Sequence, residues 1–286
     1  MHIEFVPDVD VYPFTSRWFD SSVGRVHYID EGEGPVIILC HGAPTWSFLY
    51  RHVVTDLARS FRCIAIDNPG FGLSDRPDGF TYEISALSGV AGELIDHLDL
   101  DDIIVAGHDW GGPIGLGAAV RRADRVRGVV AMNTIFWPVE ALANRVFSAA
   151  MSTGPMQKAI VDRNLLIERV LLPGLRGTIT ESEADHYRAV QPNAEARVAL
   201  AVMPQQIRKA RPFLSDLARE VPHRLGHVPA VAAWGMRDRV FRPADCLPRI
   251  AETFADVTMT EVRDAGHCVT EDAPGMVATA IRARFG

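Results

Sequence analysis

Gly107-His108-Asp109-Trp110-Gly111 combines residue types and spacing that suit chemistry at a strand–helix junction. The apolar run Ile103-Ile104-Val105-Ala106 precedes it, and a Gly/Ala-rich stretch opening at Gly111-Gly112 follows. The segment therefore reads as a buried strand, a strained turn and a helix, with the central side chain pushed out above a sheet. Glycines flank that side chain where a Cβ would collide with the tight backbone. The central residue is a carboxylate. A carboxylate held there can displace a leaving group from saturated carbon, giving an alkyl ester of Asp109, and a base-activated water can then cleave the ester.

That chemistry needs a base, an acid to orient it and donors for developing negative charge. Of the ten histidines, His267 follows the last strand-like run, where a base is required. Asp238 follows Trp234-Gly235-Met236-Arg237, at the usual acid position after the penultimate strand, while the alternative position after the preceding strand holds neutral Asn133. Backbone N–H groups at the helix start are expected to hold the Asp109 carboxylate in its ionised form. The Trp110 indole N–H is expected to meet the departing group, and the N–H groups of Trp110 and Ala43 to form an oxyanion hole. The bland alternatives are an Asp109 that merely caps its helix, loop residues at 238 and 267, and a Trp110 packed in the core. His223 and His227 are four apart with Gly226 between them, and the four cysteines show no ligand or disulfide spacing, so no metal is expected.

The elements that must position these groups follow from the apolar runs. Residues 17–20 and 25–30 read as two strands joined at Ser21-Ser22-Val23-Gly24, and 36–40 as a strand buried on both faces. A helix to about Leu57, a strand at 63–66, a helix over 83–98, the strand before Asp109 and a strand over 126–132 follow. This alternation predicts an α/β class, a doubly wound, mostly parallel eight-stranded sheet. Between 134 and 211 only helical patterns occur. Leu142, Val146, Phe147, Ala150 and Met151 share one helix face, Met156, Ile160 and Val161 begin a second helix, and Thr180-x-x-Glu183 forms a capping box for a third. Strands resume at 230–234 and 257–262, and a helix over 274–285 ends the pattern. The expected organisation is a core of residues 1–133 and 212–286 with a helical cap, or lid, over 134–211. Phe136, Trp137, Phe147 and Met151, with Met156 and Met203, are the apolar candidates to line a pocket beneath it.

At 286 residues, 48% hydrophobic and 23% charged, the chain has an ordinary globular composition. Its net charge of −7 argues against nucleic acid or an anionic membrane as partner. The amino-terminal residues have neither a basic start nor an apolar run, so a cytoplasmic location is expected. Oligomeric state is not legible.

The chain order nucleophile, acid, histidine matches the α/β-hydrolase triad, whose usual Gly-x-Ser-x-Gly carries Asp109 here. His41-Gly42-Ala43-Pro44-Thr45-Trp46-Ser47-Phe48-Leu49-Tyr50-Arg51, Gly107-His108-Asp109-Trp110-Gly111-Gly112 and Trp234-Gly235-Met236-Arg237-Asp238 resemble segments of the haloalkane dehalogenases. The resemblance spans most of residues 12–286 and is strongest to the branch called subfamily III, whose acid follows the seventh strand. It implies an α/β-hydrolase fold and cofactor-free conversion of a haloalkane and water to alcohol, halide and a proton. Members with this loop carry asparagine after His-Gly as a second halide donor, whereas this chain has Ala43. Loss of one donor costs about 2–4 kcal/mol of transition-state stabilisation. Epoxide hydrolases share the Asp nucleophile but need cap tyrosines, and Tyr187 alone lies in 134–211. Fluoroacetate-type dehalogenases place arginines after the nucleophile, where this chain has Trp110, Gly111, Gly112 and Pro113. A non-catalytic small-ligand binder is the reading from another class.

Overall fold

The structure is a computed structural model, and it describes residues 1–177 and 179–286. Arg17–Ser21 (β1) and Gly24–Glu31 (β2) form an antiparallel pair with Arg17 opposite Tyr28. Val36–Cys40 (β3), Arg62–Ile66 (β4), Ile103–Asp109 (β5), Val126–Thr134 (β6), Ala230–Gly235 (β7) and Val257–Val262 (β8) complete an eight-stranded sheet. Its order is β1-β2-β4-β3-β5-β6-β7-β8, antiparallel as far as β4 and parallel beyond. All seven residues of β5 are buried, which explains why its sequence is a continuous apolar run with no alternation.

The helices Arg51–Leu57 (α1), Ile84–His97 (α2) and Gly111–Val120 (α3) cross between these strands. β3 pairs with β4 on one side and β5 on the other, so successive connections run in opposite directions from β3. A crevice opens at the carboxyl ends of strands where the order reverses in this way. His41 leaves β3 and Asp109 ends β5 at this point.

Between β6 and β7 lie Leu142–Met151 (α4), Gly154–Arg163 (α5), a π-helical turn Ile167–Leu171 that continues into Leu172–Gly174 (α6), Glu181–Ala189 (α7), Val198–Lys209 (α8) and Arg211–Leu225 (α9). α4 and α5 rest on α8, whereas α9 packs against α3 of the sheet layer. The capping box forms as expected. Thr180 Oγ1 accepts the Glu183 N–H at 3.2 Å, and the Glu183 carboxylate accepts the Thr180 N–H at 2.8 Å. The face shared by Leu142, Val146, Phe147, Ala150 and Met151 is divided in the structure: Met151 is buried, beside Ser148, whereas Leu142, Val146 and Phe147 are exposed. Periodicity finds an apolar face but not the direction in which it points. Pro243–Thr253 (α10), Val269–Asp272 (α11) and Pro274–Phe285 (α12) complete the chain, with α12 against α1.

Candidate active site

Asp109 is the last residue of β5 and has φ of +51°, the left-handed conformation an L-residue adopts only under constraint. The constraint comes from its neighbours. A Cβ on Gly111 would run into the Cys40 carbonyl oxygen, and one on Gly42 into the Asp109 carboxylate, so the β3 loop and the elbow approach closer than side chains allow. Thr134 Oγ1 donates to the Asp109 carbonyl at 2.5 Å and pins the turn to β6.

The carboxylate faces away from α3, whose first residues it does not cap. Its Oδ2 accepts the Ala43 N–H at 3.0 Å, and its Oδ1 lies 3.4 Å from His267 Nε2. Among the described residues no N–H of the α3 start reaches it, which corrects the expectation that the helix terminus holds the anion. The positive-φ turn carries the side chain over the β3 loop instead, so the Ala43 amide takes that role.

His267 Nδ1 lies 3.0 Å from Asp238 Oδ2. The other Asp238 oxygen accepts the Val240 and Phe241 N–H groups at 2.7 and 3.1 Å. Burial opposes ionisation of Asp238, but His267 and these donors outweigh it and hold the carboxyl below its ordinary value. Burial likewise opposes charge on His267, but the Asp238 and Asp109 carboxylates on either side raise it to about 10. The imidazole is thus the cation of a three-member ion array.

Two further residues build this array, and sequence reasoning gave neither a role. Asn133, at φ +39°, donates Nδ2–H to Asp238 Oδ2 at 2.7 Å and accepts the Gly235 N–H on Oδ1 at 2.9 Å. The residue weighed as an alternative acid position instead supports the Asp238 carboxylate. His108 Nε2 lies 2.8 Å from the His267 carbonyl oxygen, and burial depresses the His108 ring to about 4, so it donates as neutral imidazole. Its place inside the elbow was the only available signal.

Asp109, Trp110, His267, Ala43 and Phe147 line one cavity of about 210 Å³ together with Met203, Leu166, Ile207 and Phe241. Its wall is mainly apolar, and the Trp110 ring forms part of it. Four expected lining residues lie elsewhere. Trp137 lies under Arg249, 5.1 Å from the ring centre, in a separate cleft, and Phe136 is buried edge-on to Trp137 and Phe254. Phe241 lines both the cleft that holds Trp137 and the Asp109 cavity, and neither Phe136 nor Trp137 lines the latter. Met151 is buried beneath α4 and does not reach the cavity; Met156 is also absent from it. Tyr187 is fully buried and donates its hydroxyl to Glu271, away from Asp109. No tyrosine lines the cavity among the described residues.

A strained carboxylate elbow, a His–Asp pair on successive later loops and a helical insertion after β6 define the class. The chain belongs to the α/β-hydrolase family, described as alpha/beta hydrolase fold and matched over residues 35–274, and within it to the haloalkane dehalogenases, as the following likeness shows. It is 54% identical over all 286 residues to "Haloalkane dehalogenase 2" of Mycobacterium bovis and of Mycobacterium tuberculosis, covering the whole of both chains. It is also 30% identical to a cis-3-alkyl-4-alkyloxetan-2-one decarboxylase of Shewanella oneidensis, over 94% of this chain and 88% of that one. In fold it is similar to a haloalkane dehalogenase crystal structure from Bradyrhizobium elkani, with TM-score 0.87, 23% identity and coverage of 94% and 97%. A second such structure, from Agrobacterium tumefaciens, has TM-score 0.87, 20% identity and coverage of 97% and 98%.

Proposed function

We propose that the protein hydrolyses carbon–halogen bonds of small apolar haloalkanes, with Asp109 as nucleophile, His267 as base and Asp238 as its orienting acid. The observation that carries this is the Asp109 carboxylate at the floor of an apolar cavity, with one oxygen held by an N–H and the other facing His267. The oxygen facing His267 attacks the halogen-bearing carbon, the carbon–halogen bond breaks with its electron pair, and halide departs beside the Trp110 indole. Alkylation removes the Asp109 charge, so His267 loses one of the two anions that hold its proton and releases it to solvent. The neutral imidazole then takes a proton from water as that water attacks the ester carbonyl. The Ala43 N–H stabilises the oxyanion, and collapse releases the alcohol and restores the carboxylate. The sum is haloalkane and water to alcohol, halide and one proton, with no cofactor.

Residues 134–211 act as the cap, supplying Phe147, Leu166 and Met203 to the cavity. Epoxide hydrolysis lacks its acids, because Tyr187 is committed to Glu271. A second reading is favoured by the oxetanone decarboxylase likeness and by Ala43, which brings no side-chain donor for halide. In it Asp109 opens a four-membered lactone at its saturated carbon–oxygen bond. The freed carboxylate leaves as carbon dioxide while the alkene forms and Asp109 is restored.

The test offers 1,2-dibromoethane, 1-bromobutane, styrene oxide and a cis-dialkyl oxetanone in parallel, following bromide, diol and alkene. Bromide release supports the main reading and rejects a non-catalytic binder. Alkene without bromide favours the second reading, and no product from any of them refutes both.

A further inference from the structure

We propose that the mouth of the Asp109 cavity is a docking surface for an anionic lipid bilayer, from which the site draws alkyl chains. The inference rests on the reading of the cavity as an alkyl-substrate site and adds where the substrate comes from. Its starting point is helix α4, one side of which exposes apolar residues. Leu142, Val146 and Phe147 are 73%, 58% and 42% exposed, while the opposite side of the helix sits on α8, with Ser148 Oγ donating to the Pro204 carbonyl at 2.6 Å. An amphipathic helix with its apolar side outward is the arrangement that lies in a membrane interface, and its position beside a cavity mouth gives it a purpose. Two further segments bring exposed valines to the same opening. Val170 and Val240 are 42% and 43% exposed and, with Phe147, line the cavity.

Each of these segments also carries a cation. Arg145, Arg169 and Arg239 adjoin Val146, Val170 and Val240, all three are exposed, and none has a carboxylate within 4 Å among the described residues. Acidic groups nearby are already matched, Glu140 by Arg211, Glu168 by Arg188 and Asp245 by Arg242. The net charge of −7 therefore says little about this face. Over residues 134–211 the sequence has ten Lys/Arg and seven Asp/Glu, so that segment is +3 and the remainder −10. Alternating apolar and unmatched cationic side chains around an opening fit anionic headgroups above acyl chains. A second copy of the chain on this patch would seal the entrance, whereas a bilayer presents substrate to it. No helix is long and apolar enough to cross a membrane among the described residues, so the association is peripheral.

The test is flotation with phosphatidylglycerol or phosphatidylcholine vesicles, using wild type, Leu142→Asp/Val146→Asp and Arg145→Glu/Arg169→Glu. None of these four residues lines the cavity. Wild type is expected to float with phosphatidylglycerol and not with phosphatidylcholine, and about tenfold more salt should release it. Both double variants should bind about tenfold or more weakly. Their turnover of 1-bromohexadecane in phosphatidylglycerol vesicles should fall with binding, while turnover of dissolved 1,2-dibromoethane stays at the wild-type rate. That soluble arm reports dehalogenation itself, so its failure is separate from failure to dock. No flotation with phosphatidylglycerol overturns the proposal. So does flotation that the substitutions leave unchanged, or a wild-type dimer that Leu142→Asp/Val146→Asp splits in sedimentation velocity.

Discussion

Replacing Asp109 by Asn removes one of the two carboxylates that hold the His267 proton while keeping the side-chain shape. The two groups are 3.4 Å apart. Unit charges at that separation interact by about 5 kcal/mol at an effective dielectric constant of about 20, equivalent to three to four pKa units. The His267 side chain is 21% exposed, and solvent screens part of this, so a fall of about two to three units is expected. His267 should therefore titrate at about 10 in the resting protein and about 7–8 in Asp109→Asn, as observed by NMR of labelled imidazoles with His267→Gln to assign the signal. The same loss of charge occurs when Asp109 is alkylated. At about pH 9, then, the proton of the overall reaction should appear with the halide in the first half-reaction, and none with the alcohol. Stopped-flow with a pH indicator in weak buffer, alongside halide detection, resolves the order. A His267 that titrates near its ordinary value in the resting protein, or a proton that appears with the alcohol, refutes the reasoning.

The raised value also sets a pH window for stability. The folded-state shift is upward, so the stabilisation is fully present below about pH 6.5 and lost as pH rises through about 10. Wild type should lose more melting temperature between pH 7 and 10 than Asp109→Asn, and equal losses would count against the ion array. His267→Phe should release one equivalent of bromide and stop, with an alkyl adduct on Asp109 by mass spectrometry and turnover lower by about 10²–10⁴. An unmodified Asp109 after that burst would exclude the ester. Asn133→Ala removes a donor to Asp238 and the acceptor for the Gly235 N–H, so a loss of about 1–3 kcal/mol is expected in denaturant titration. It should slow ester hydrolysis more than ester formation, which quenched-flow separates. Ala43→Asn adds a side-chain donor beside Trp110 and should speed bromide release by about 30- to 900-fold, the equivalent of 2–4 kcal/mol. An unchanged rate would mean that another group already serves the departing halide.

Much of the site was legible because its parts are coupled to local signals. A glycine-flanked carboxylate after an apolar strand is an elbow only if the backbone turns sharply, and Asp109 at φ +51° shows that it does. Asp238 and His267 follow predicted strands, and parallel strands bring their carboxyl ends to one side of a sheet whatever the intervening length. The capping box at Thr180 was equally readable, since both partners lie within one helical turn.

What the chain pattern alone could not decide depends on packing between distant segments. Asn133 supports Asp238 across 105 residues, which follows from neither composition nor spacing; the Ala43 amide was an expected donor, but that it rather than the start of α3 holds the Asp109 carboxylate was decided by the turn. Phe136 and Trp137 have the right chemistry for a pocket, yet Trp137 lines a neighbouring cleft and Phe136 packs on Trp137 and Phe254, because lining is decided by the packing of distant segments. The same holds for α4, where periodicity groups apolar residues but does not say which of them are buried: Met151 is, Leu142 and Val146 are not. One-dimensional order encodes which residues share a face and which lie at strand ends. Only the three-dimensional packing of helix on helix and loop on loop decides what that face meets, and thereby which side chains surround the Asp109 carboxylate.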